Sequence, residues 1–458
     1  MNLSLPQAKP DLLLDERTRA RGLSCVHCGL CLPACPTYTT THHEADSPRG
    51  RIQLMLGLSD GSISLTGKVS HHLDLCLDCR ACETACPSGV VYHELIEETR
   101  ARLDARRRAT PTDRLLRWFF FHVMTHPTRL KLALLPARLM QRLRIYPRLR
   151  RSGLLRLLPQ PLQKMERLLP PDGPIWPVAL PERPGRSAVD AMLREPGTDV
   201  AAHGREQVVR VGFFGGCVGS VLFGEVNRQA AELLAACGAE VVCPRSQRCC
   251  GAIHHHNADH HSALQLARNN IDAFLPVNGP QVDRIVTTIA GCGAMLREYD
   301  VLLRDDPSYR DRAREFVARV RDISELLVEL ELPTMRHQVE LTATYHDACH
   351  LAHAQRVTEA PRKLLARIPG LKLIPLAESD LCCGAAGTYN LTQPEMATTL
   401  AERKLRNIDQ TGAATCVTGN VGCAMHLAGE ALASGRALTI VHPVELLHRA
   451  VFGSDGKG

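Results

Sequence analysis

Cys25-Val-His-Cys28-Gly-Leu-Cys31-Leu-Pro-Ala-Cys35-Pro36 and Cys76-Leu-Asp-Cys79-Arg-Ala-Cys82-Glu-Thr-Ala-Cys86-Pro87 are two copies of one pattern, C-x2-C-x2-C-x3-C-P. Three sulfurs at i, i+3 and i+6 in a tight loop can wrap one face of a metal cluster, while the fourth, further along, points away from it. The proline that follows disfavours helical backbone at the fourth cysteine and so fixes its exit direction. Between the runs lie 40 residues, including Ser47-Pro-Arg-Gly-Arg51, and a helix is predicted over Ile52–Leu58. A second is predicted over Val90–Arg108, with Glu94, Glu97 and Glu98 early and arginines late, the order that the helix dipole favours.

The spacing is that of the bacterial ferredoxin run, in which three thiolates of a run hold one cubane and the fourth ligates the other cluster. That assigns Cys25, Cys28, Cys31 and Cys86 to one [4Fe-4S] cluster, and Cys76, Cys79, Cys82 and Cys35 to a second. A helix-rich two-cluster domain is expected over 1–99. Paired C-x2-C also builds structural zinc sites, but two complete runs ending in Cys-Pro are hard to reconcile with a four-ligand ion.

The chain has 458 residues, 45% of them apolar and 22% charged, which is ordinary for a globular protein of about three domains. Its 19 cysteines read as reduced thiols used as ligands, because Met1–Asp15 carries no secretory apolar region. No apolar run reaches the roughly 18 residues of a spanning helix. A cytoplasmic location is expected, peripheral on the inner membrane if the basic segment binds lipid.

Composition changes sharply over Arg100–Pro170, where 16 Arg and two Lys face three acidic residues, a net charge of +15 against +7 for the whole chain. Trp118-Phe-Phe-Phe121 lies here, and apolar residues recur at helical spacing through Leu130–Leu158. Three readings stand for this basic linker: a helical segment packing on its own domains, a dock for an acidic partner subunit, or a membrane-surface contact. Nucleic acid is not favoured, since no reading motif accompanies the charge. Pro170–Gly197 is rich in Pro and Gly and reads as a strap. Together they make a 100–197 linker.

The C-terminal half is duplicated. Strand Val208–Phe214 leads into Cys217, followed by Cys249-Cys250-Gly251 and by strand Ile285–Ile289 leading into Cys292. In the second copy strand Glu340–Tyr345 leads into His346-Asp-Ala-Cys349-His350, followed by Cys382-Cys383-Gly384 and by strand Cys416–Thr418 leading into Cys423. Corresponding anchors lie 132, 133 and 131 residues apart. Two homologous domains, 198–335 and 336–458, are expected. Each alternates strands with amphipathic helices, as in helix Glu225–Cys237 and strand Ala239–Cys243, which argues for a parallel α/β sheet. The overall fold class is multidomain α+β. The cysteines fall after strand ends, where such sheets place ligands, so Cys217, Cys249, Cys250 and Cys292, then Cys349, Cys382, Cys383 and Cys423, are candidate metal ligands.

Twin ferredoxin runs followed by two CCG cysteine-rich domains resemble the iron-sulfur subunit of bacterial glycolate oxidase over nearly the whole chain. The local matches are Cys31-Leu-Pro-Ala-Cys35-Pro-Thr-Tyr38, Cys82-Glu-Thr-Ala-Cys86-Pro-Ser-Gly89, Cys249-Cys250-Gly-Ala-Ile-His254 and Tyr345-His-Asp-Ala-Cys349-His-Leu-Ala-His353. Iron-sulfur subunits of anaerobic glycerol-3-phosphate dehydrogenase, lactate utilisation and heterodisulfide reductase are similar in architecture. One departure is plain: the wider family often ends each module with C-x-x-C, but here Met295 and His426 follow Cys292 and Cys423. The disulfide chemistry of the heterodisulfide-reductase relatives is thereby placed in doubt, and a conventional iron-sulfur cluster, or none, is expected in each module.

The resemblance implies an electron-transfer subunit of a 2-hydroxy-acid dehydrogenase complex. An FAD-containing partner oxidises glycolate to glyoxylate, and electrons pass through the two [4Fe-4S] clusters toward a quinone or similar acceptor. The same subunit in a lactate or glycerol-3-phosphate dehydrogenase is the alternative, and a zinc-stabilised scaffold the non-enzyme alternative. No G-x-G-x-x-G opens a strand-helix unit, so no flavin site and no catalytic residue is assigned in this chain. Among the remaining residues, His254, His255, His256, His260 and His261 read as an exposed helix start. His346, His350 and His353 flank Cys349 and either orient its loop or relay protons, while Cys237, Cys243 and Cys416 read as buried apolar residues.

Overall fold

A computed structural model describes residues 14–106, 110–153, 157, 160–169, 175–177, 180–183 and 208–453. Most of the Pro170–Gly197 strap lies outside the described residues. Two compact units are present, the first comprising 1–109 with 256–259, the second 110–255 with 260–458.

The first unit is helical. Ser47 caps the helix Pro48–Asp60 by accepting from the Gly50 N–H, with Pro48 in the first turn where its missing N–H costs nothing. This helix contains the predicted Ile52–Leu58 and extends past both ends. The predicted glutamate-first helix spans Tyr92–Arg106. Ile52 and Met55 from one, Leu95, Ile96 and Leu103 from the other, and Leu14 and Leu73 form the core, on which Cys76 and Cys82 pack. Burying each such aliphatic side chain contributes roughly 1.5–3 kcal/mol.

The second unit holds the duplication. In the first copy β1 (Arg210–Phe213), β2 (Glu240–Val242), β3 (Arg284–Thr287) and β4 (Val320–Asp322) form a parallel sheet ordered β2-β1-β3-β4. In the second, β5 (Leu341–Tyr345), β6 (Leu371–Ile374), β7 (Thr415–Val417) and β8 (Thr439–Val441) repeat it as β6-β5-β7-β8. The strands are short and apolar because both faces are covered.

One core is shared by both copies. Helices Gly224–Ala236 and Ile323–Glu329 of the first copy, with Glu359–Leu365 and Pro443–Phe452 of the second, contribute Leu233, Leu327, Leu364 and Leu447 to it, and Phe213 and Val417 reach it from the two sheets. The opposite faces carry separate cores, with Phe274 and Phe316 in the first copy and Leu405 and Leu427 in the second. The copies are therefore halves of one packed body.

The basic segment belongs to this body as a run of helices, Pro111–Phe119, Pro127–Arg142, Ile145–Arg151 and Gln160–Arg167, with one π turn at Phe120–Met124. Thr110 and Asp113 form a capping box at its start. Phe120 and Leu130 are buried, Phe121 stacks on His254 at 4.7 Å, and helix Gln160–Arg167 lies against helix Val421–Ala433. Packing on its own domains thus accounts for part of the segment's apolar character.

Candidate metal centres

The two ferredoxin runs repeat in backbone conformation. In each, the residue before the second cysteine and the residue after it are left-handed: His27 (φ 54°) and Gly29 (φ 84°) around Cys28, Asp78 (φ 53°) and Arg80 (φ 62°) around Cys79. Three of these four carry a Cβ that disfavours the conformation, so the loops hold local strain. Cys35 is extended (φ −88°, ψ 114°) and Pro36 opens the next helix, as the proline rule requires.

Cys35 from the first run and Cys76, Cys79 and Cys82 from the second line a single cavity of about 310 Å³, together with Arg51, Leu77, Asp78 and Tyr92. All four thiols are buried. Around them, the Asp78 N–H donates to Cys76 Sγ at 3.4 Å, Tyr92 Oη donates to it at 3.7 Å, and Arg51 Nη1 lies 4.0 Å from Cys35 Sγ. Burial and the neighbouring thiols push the Cys82 thiol well above its ordinary range. Ligation to a cation is what ionises thiols in such a place. Arg51 is itself fully buried, and although burial opposes its charge, Cys76, Tyr92, Cys35 and Asp46 hold its pKa above the ordinary value. Four soft ligands, donors aimed at sulfur and one buried cation suit a thiolate-held iron-sulfur cluster.

The other four cysteines of the runs sit nearer the surface. Cys28 is exposed, while Cys25, Cys31 and Cys86 are half-buried against the core of the unit.

In the second unit the paired cysteines converge as the strand-end positions predict. Order β2-β1-β3-β4 reverses between β1 and β3, the switch point where open α/β sheets bind ligands. Cys217 follows β1 and Cys292 follows β3, and the Cys249-Cys250 turn after β2 closes on them: Cys217 Sγ lies 3.5 Å from Cys249 Sγ. The thiol contact with Cys249, reinforced by burial, pushes Cys217 well above its usual range. In the second copy Cys349 Sγ lies 3.8 Å from Cys382 Sγ, and a hydrogen bond from Cys423 holds Cys383 well below the usual thiol range. Gly251 (φ 93°) and Gly384 (φ 92°) turn the chain after each cysteine pair.

Several sequence expectations are corrected. His254 is buried rather than exposed, because Phe121 of the basic segment covers it. His255 and His260 meet through their Nδ1 atoms at 3.1 Å, and His261 is exposed beside Gln265. His256 belongs with the first unit, its Nδ1 3.0 Å from Glu97 Oε1. Cys243 is only half-buried, since Gln247 Nε2 donates to its sulfur at 3.3 Å, whereas Cys237 and Cys416 are buried. His350 Nδ1 lies 3.6 Å from Cys349 Sγ, and His353 is buried with Nε2 donating to Asp380 O. His426, marked in the sequence only as a missing cysteine, is buried and donates to Ala397 O at 3.2 Å.

Comparison with known proteins agrees with this layout. A 4Fe-4S dicluster domain matches residues 22–90, and a cysteine-rich domain, CCG, matches twice, over 211–297 and 343–428. The linker region of the glycolate oxidase iron-sulfur subunit matches 112–169. The probable glycolate oxidase iron-sulfur subunit of Bacillus subtilis (strain 168) is 37% identical over 413 residues, covering 88% of each chain. That of Escherichia coli (strain K12) is 33% identical, over 95% of this chain and 98% of the relative. The chain belongs to the glycolate oxidase iron-sulfur subunit family. Lactate utilization protein A of Halalkalibacterium halodurans is 30% identical, but over 52% of this chain. Membership of the glycolate oxidase family makes this an iron-sulfur electron-transfer subunit of an oxidoreductase. Among the described residues no helix is long and apolar enough to cross a membrane.

Proposed function

We propose that the chain carries two [4Fe-4S] clusters, held by Cys25, Cys28, Cys31 and Cys86 and by Cys76, Cys79, Cys82 and Cys35. They relay electrons from an FAD-containing partner that oxidises glycolate to glyoxylate. The observation that carries this reading is the cavity in which one cysteine of the first run joins three of the second. The crossed set is the two-cluster ferredoxin arrangement, and it supplies one-electron carriers to a chain in which no substrate-oxidising cofactor site was recognised. Cys28, exposed, marks the cluster closer to a redox partner. The thiols of the two CCG modules are further metal ligands in this reading.

Anaerobic purification tests it. About eight irons per chain from the ferredoxin domain, with visible absorbance bleached by dithionite, are expected. A colourless protein holding zinc in place of that iron overturns the relay. For the substrate, the complex purified with its flavoprotein is assayed on glycolate, lactate and glycerol 3-phosphate. Activity on lactate or glycerol 3-phosphate without glycolate would replace the substrate and leave the relay intact. The lactate alternative rests on similarity to lactate utilization protein A, which spans only about half of this chain.

The acceptor side is assigned to the basic segment. Leu132, Leu139 and Leu143 recur on one helical face and are exposed, as are Leu115 and Trp118, within the stretch of +15 charge. Apolar and cationic groups together suit an anionic membrane surface, where a quinone resides. Co-sedimentation with phosphatidylglycerol vesicles is expected, and it weakens when these leucines are replaced by serine. Equal sedimentation of both proteins leaves the segment a linker only.

A further inference from the structure

The two copies differ chemically where they match in sequence position. Three residues before Cys349 stands His346, and three before Cys217 stands Phe214; three after Cys423 stands His426, and three after Cys292 stands Met295. The thiols are repeated, but the second copy adds imidazoles that the first replaces with apolar side chains.

His346 follows β5 directly and is wholly buried, its backbone N–H donating to Val417 O at 2.9 Å. Its Nδ1 lies 3.0 Å from the carbonyl oxygen of Ser379. A carbonyl can only accept, so Nδ1 carries the ring proton and the neutral ring presents a bare lone pair at Nε2. That Nε2 is buried and has no hydrogen-bond partner. A backbone carbonyl fixing one ring nitrogen so that the other faces a cation is the usual support of a metal-binding histidine.

The lone pair has company. The ligand atoms of His346, Cys383 and Cys423 all lie within 4.8 Å of one another, and all three residues are buried. A tetrahedral ion with metal–sulfur bonds of about 2.3 Å and metal–nitrogen bonds of about 2.0–2.1 Å holds its ligands roughly 3.5–3.8 Å apart, so the set closes with a shift of about 1 Å. A cubane interposes its own sulfides between the irons and needs ligands set wider. Asn420 Nδ2 donates to Cys423 Sγ at 3.3 Å, the kind of bond that steadies a ligating thiolate.

We propose that His346, Cys383 and Cys423 bind one soft divalent cation of the zinc class. On binding, the two thiols lose their protons to solvent and the two thiolates neutralise the ion. The neutral imidazole completes three protein ligands, and water or a small ligand atom takes the fourth tetrahedral position. The first copy, with Phe214 in place of the imidazole, has no counterpart to this site. The inference stands on the second copy alone and does not depend on the relay.

The test is metal analysis of the full chain, purified anaerobically with zinc in the medium. One zinc per chain beside the iron is expected; in His346→Gln the zinc is lost while the iron stays, and His346→Cys retains zinc. Zinc-edge X-ray absorption on the unmodified chain does not depend on how the variants fold. It is expected to show two sulfurs and a histidine nitrogen, with cobalt substitution giving intense tetrahedral d–d bands. Three outcomes each overturn the site: no zinc bound by the unmodified chain, an all-sulfur shell, or His346→Gln losing iron instead of zinc. Loss of the iron in every preparation with zinc retained would count against the relay and not against this site.

Discussion

His442 in the second copy donates from Nε2 to the carbonyl oxygen of Thr288 in the first, at 3.0 Å. Its Nδ1 accepts from the Val444 N–H and caps the helix Pro443–Phe452, while Glu445 accepts from the His442 N–H. Both ring nitrogens are thus committed in the neutral form. Burial holds the pKa of His442 down, to about 4.

The sign of the pH dependence follows. With its pKa below the unfolded value of about 6.5, His442 takes up a proton more readily in the unfolded chain. Its stabilisation is full above that value and is lost as pH falls toward 4, about 2 kcal/mol of it by pH 5. Melting of the full chain between pH 7.5 and 5 should therefore show a steeper acid loss than His442→Gln. Parallel curves for the two proteins would falsify this role.

Arg51 is the charge nearest the buried cysteine set. Its Nη1 donates to Thr37 Oγ1 at 3.0 Å, its Nε to His72 O at 2.7 Å, and its Nη2 lies 3.6 Å from Asp46 Oδ1. A fixed positive charge beside a cluster stabilises the reduced, more negative state. Arg51→Met should move the midpoint of the second cluster to more negative potential and cost about 3–5 kcal/mol, because Asp46 loses its buried cation. Spectroscopically monitored redox titration reads the first effect and thermal melting the second; an unmoved midpoint refutes the electrostatic assignment.

What the sequence disclosed, and what it hid, divides by range of interaction. The cysteine runs, the duplication and the strands are local patterns: the expected Ile285–Ile289 strand is β3 at Arg284–Thr287, and expected Glu340–Tyr345 is β5 at Leu341–Tyr345. The shared core was not readable, since Leu233 and Leu447 meet across more than 200 residues and no periodicity encodes which apolar face finds which. His254 was misjudged for the same reason, its cover coming from Phe121. His346 had a usable signal that was read too weakly: a polar residue directly after an apolar strand, where the matching copy has Phe214.

Gly251 and Gly384 occupy the same turn in the two copies, yet they tolerate a side chain differently. Both are left-handed, at φ 93° and 92°, so alanine strains either by roughly 1–2 kcal/mol. A Cβ on Gly251 would come no nearer than 3.5 Å to Ala263, but on Gly384 it would lie 2.6 Å from Ala397 O, in the backbone of helix Pro394–Thr411. Gly384→Ala should lower the melting temperature more than Gly251→Ala and displace Cys383 from its neighbours. Equal losses would mean that the helix yields freely.

The basic segment is held to the second copy at one point where no side chain fits. A Cβ on Gly429, in helix Val421–Ala433, would lie 2.5 Å from the carbonyl oxygen of Arg167, at the end of helix Gln160–Arg167. The close approach requires glycine for space, since no left-handed φ is involved. Gly429→Ala should therefore lift that helix at a cost of about 1–3 kcal/mol, the usual range for overpacking. The cysteine runs lie in the other unit and their iron should be unaffected. Limited trypsin digestion is the reading, because the segment is rich in arginine and cleavage needs a locally opened chain. Faster cutting within 144–167 with unchanged iron content is expected, and an unchanged digestion pattern with an unchanged melting temperature would show that the contact does not anchor the segment.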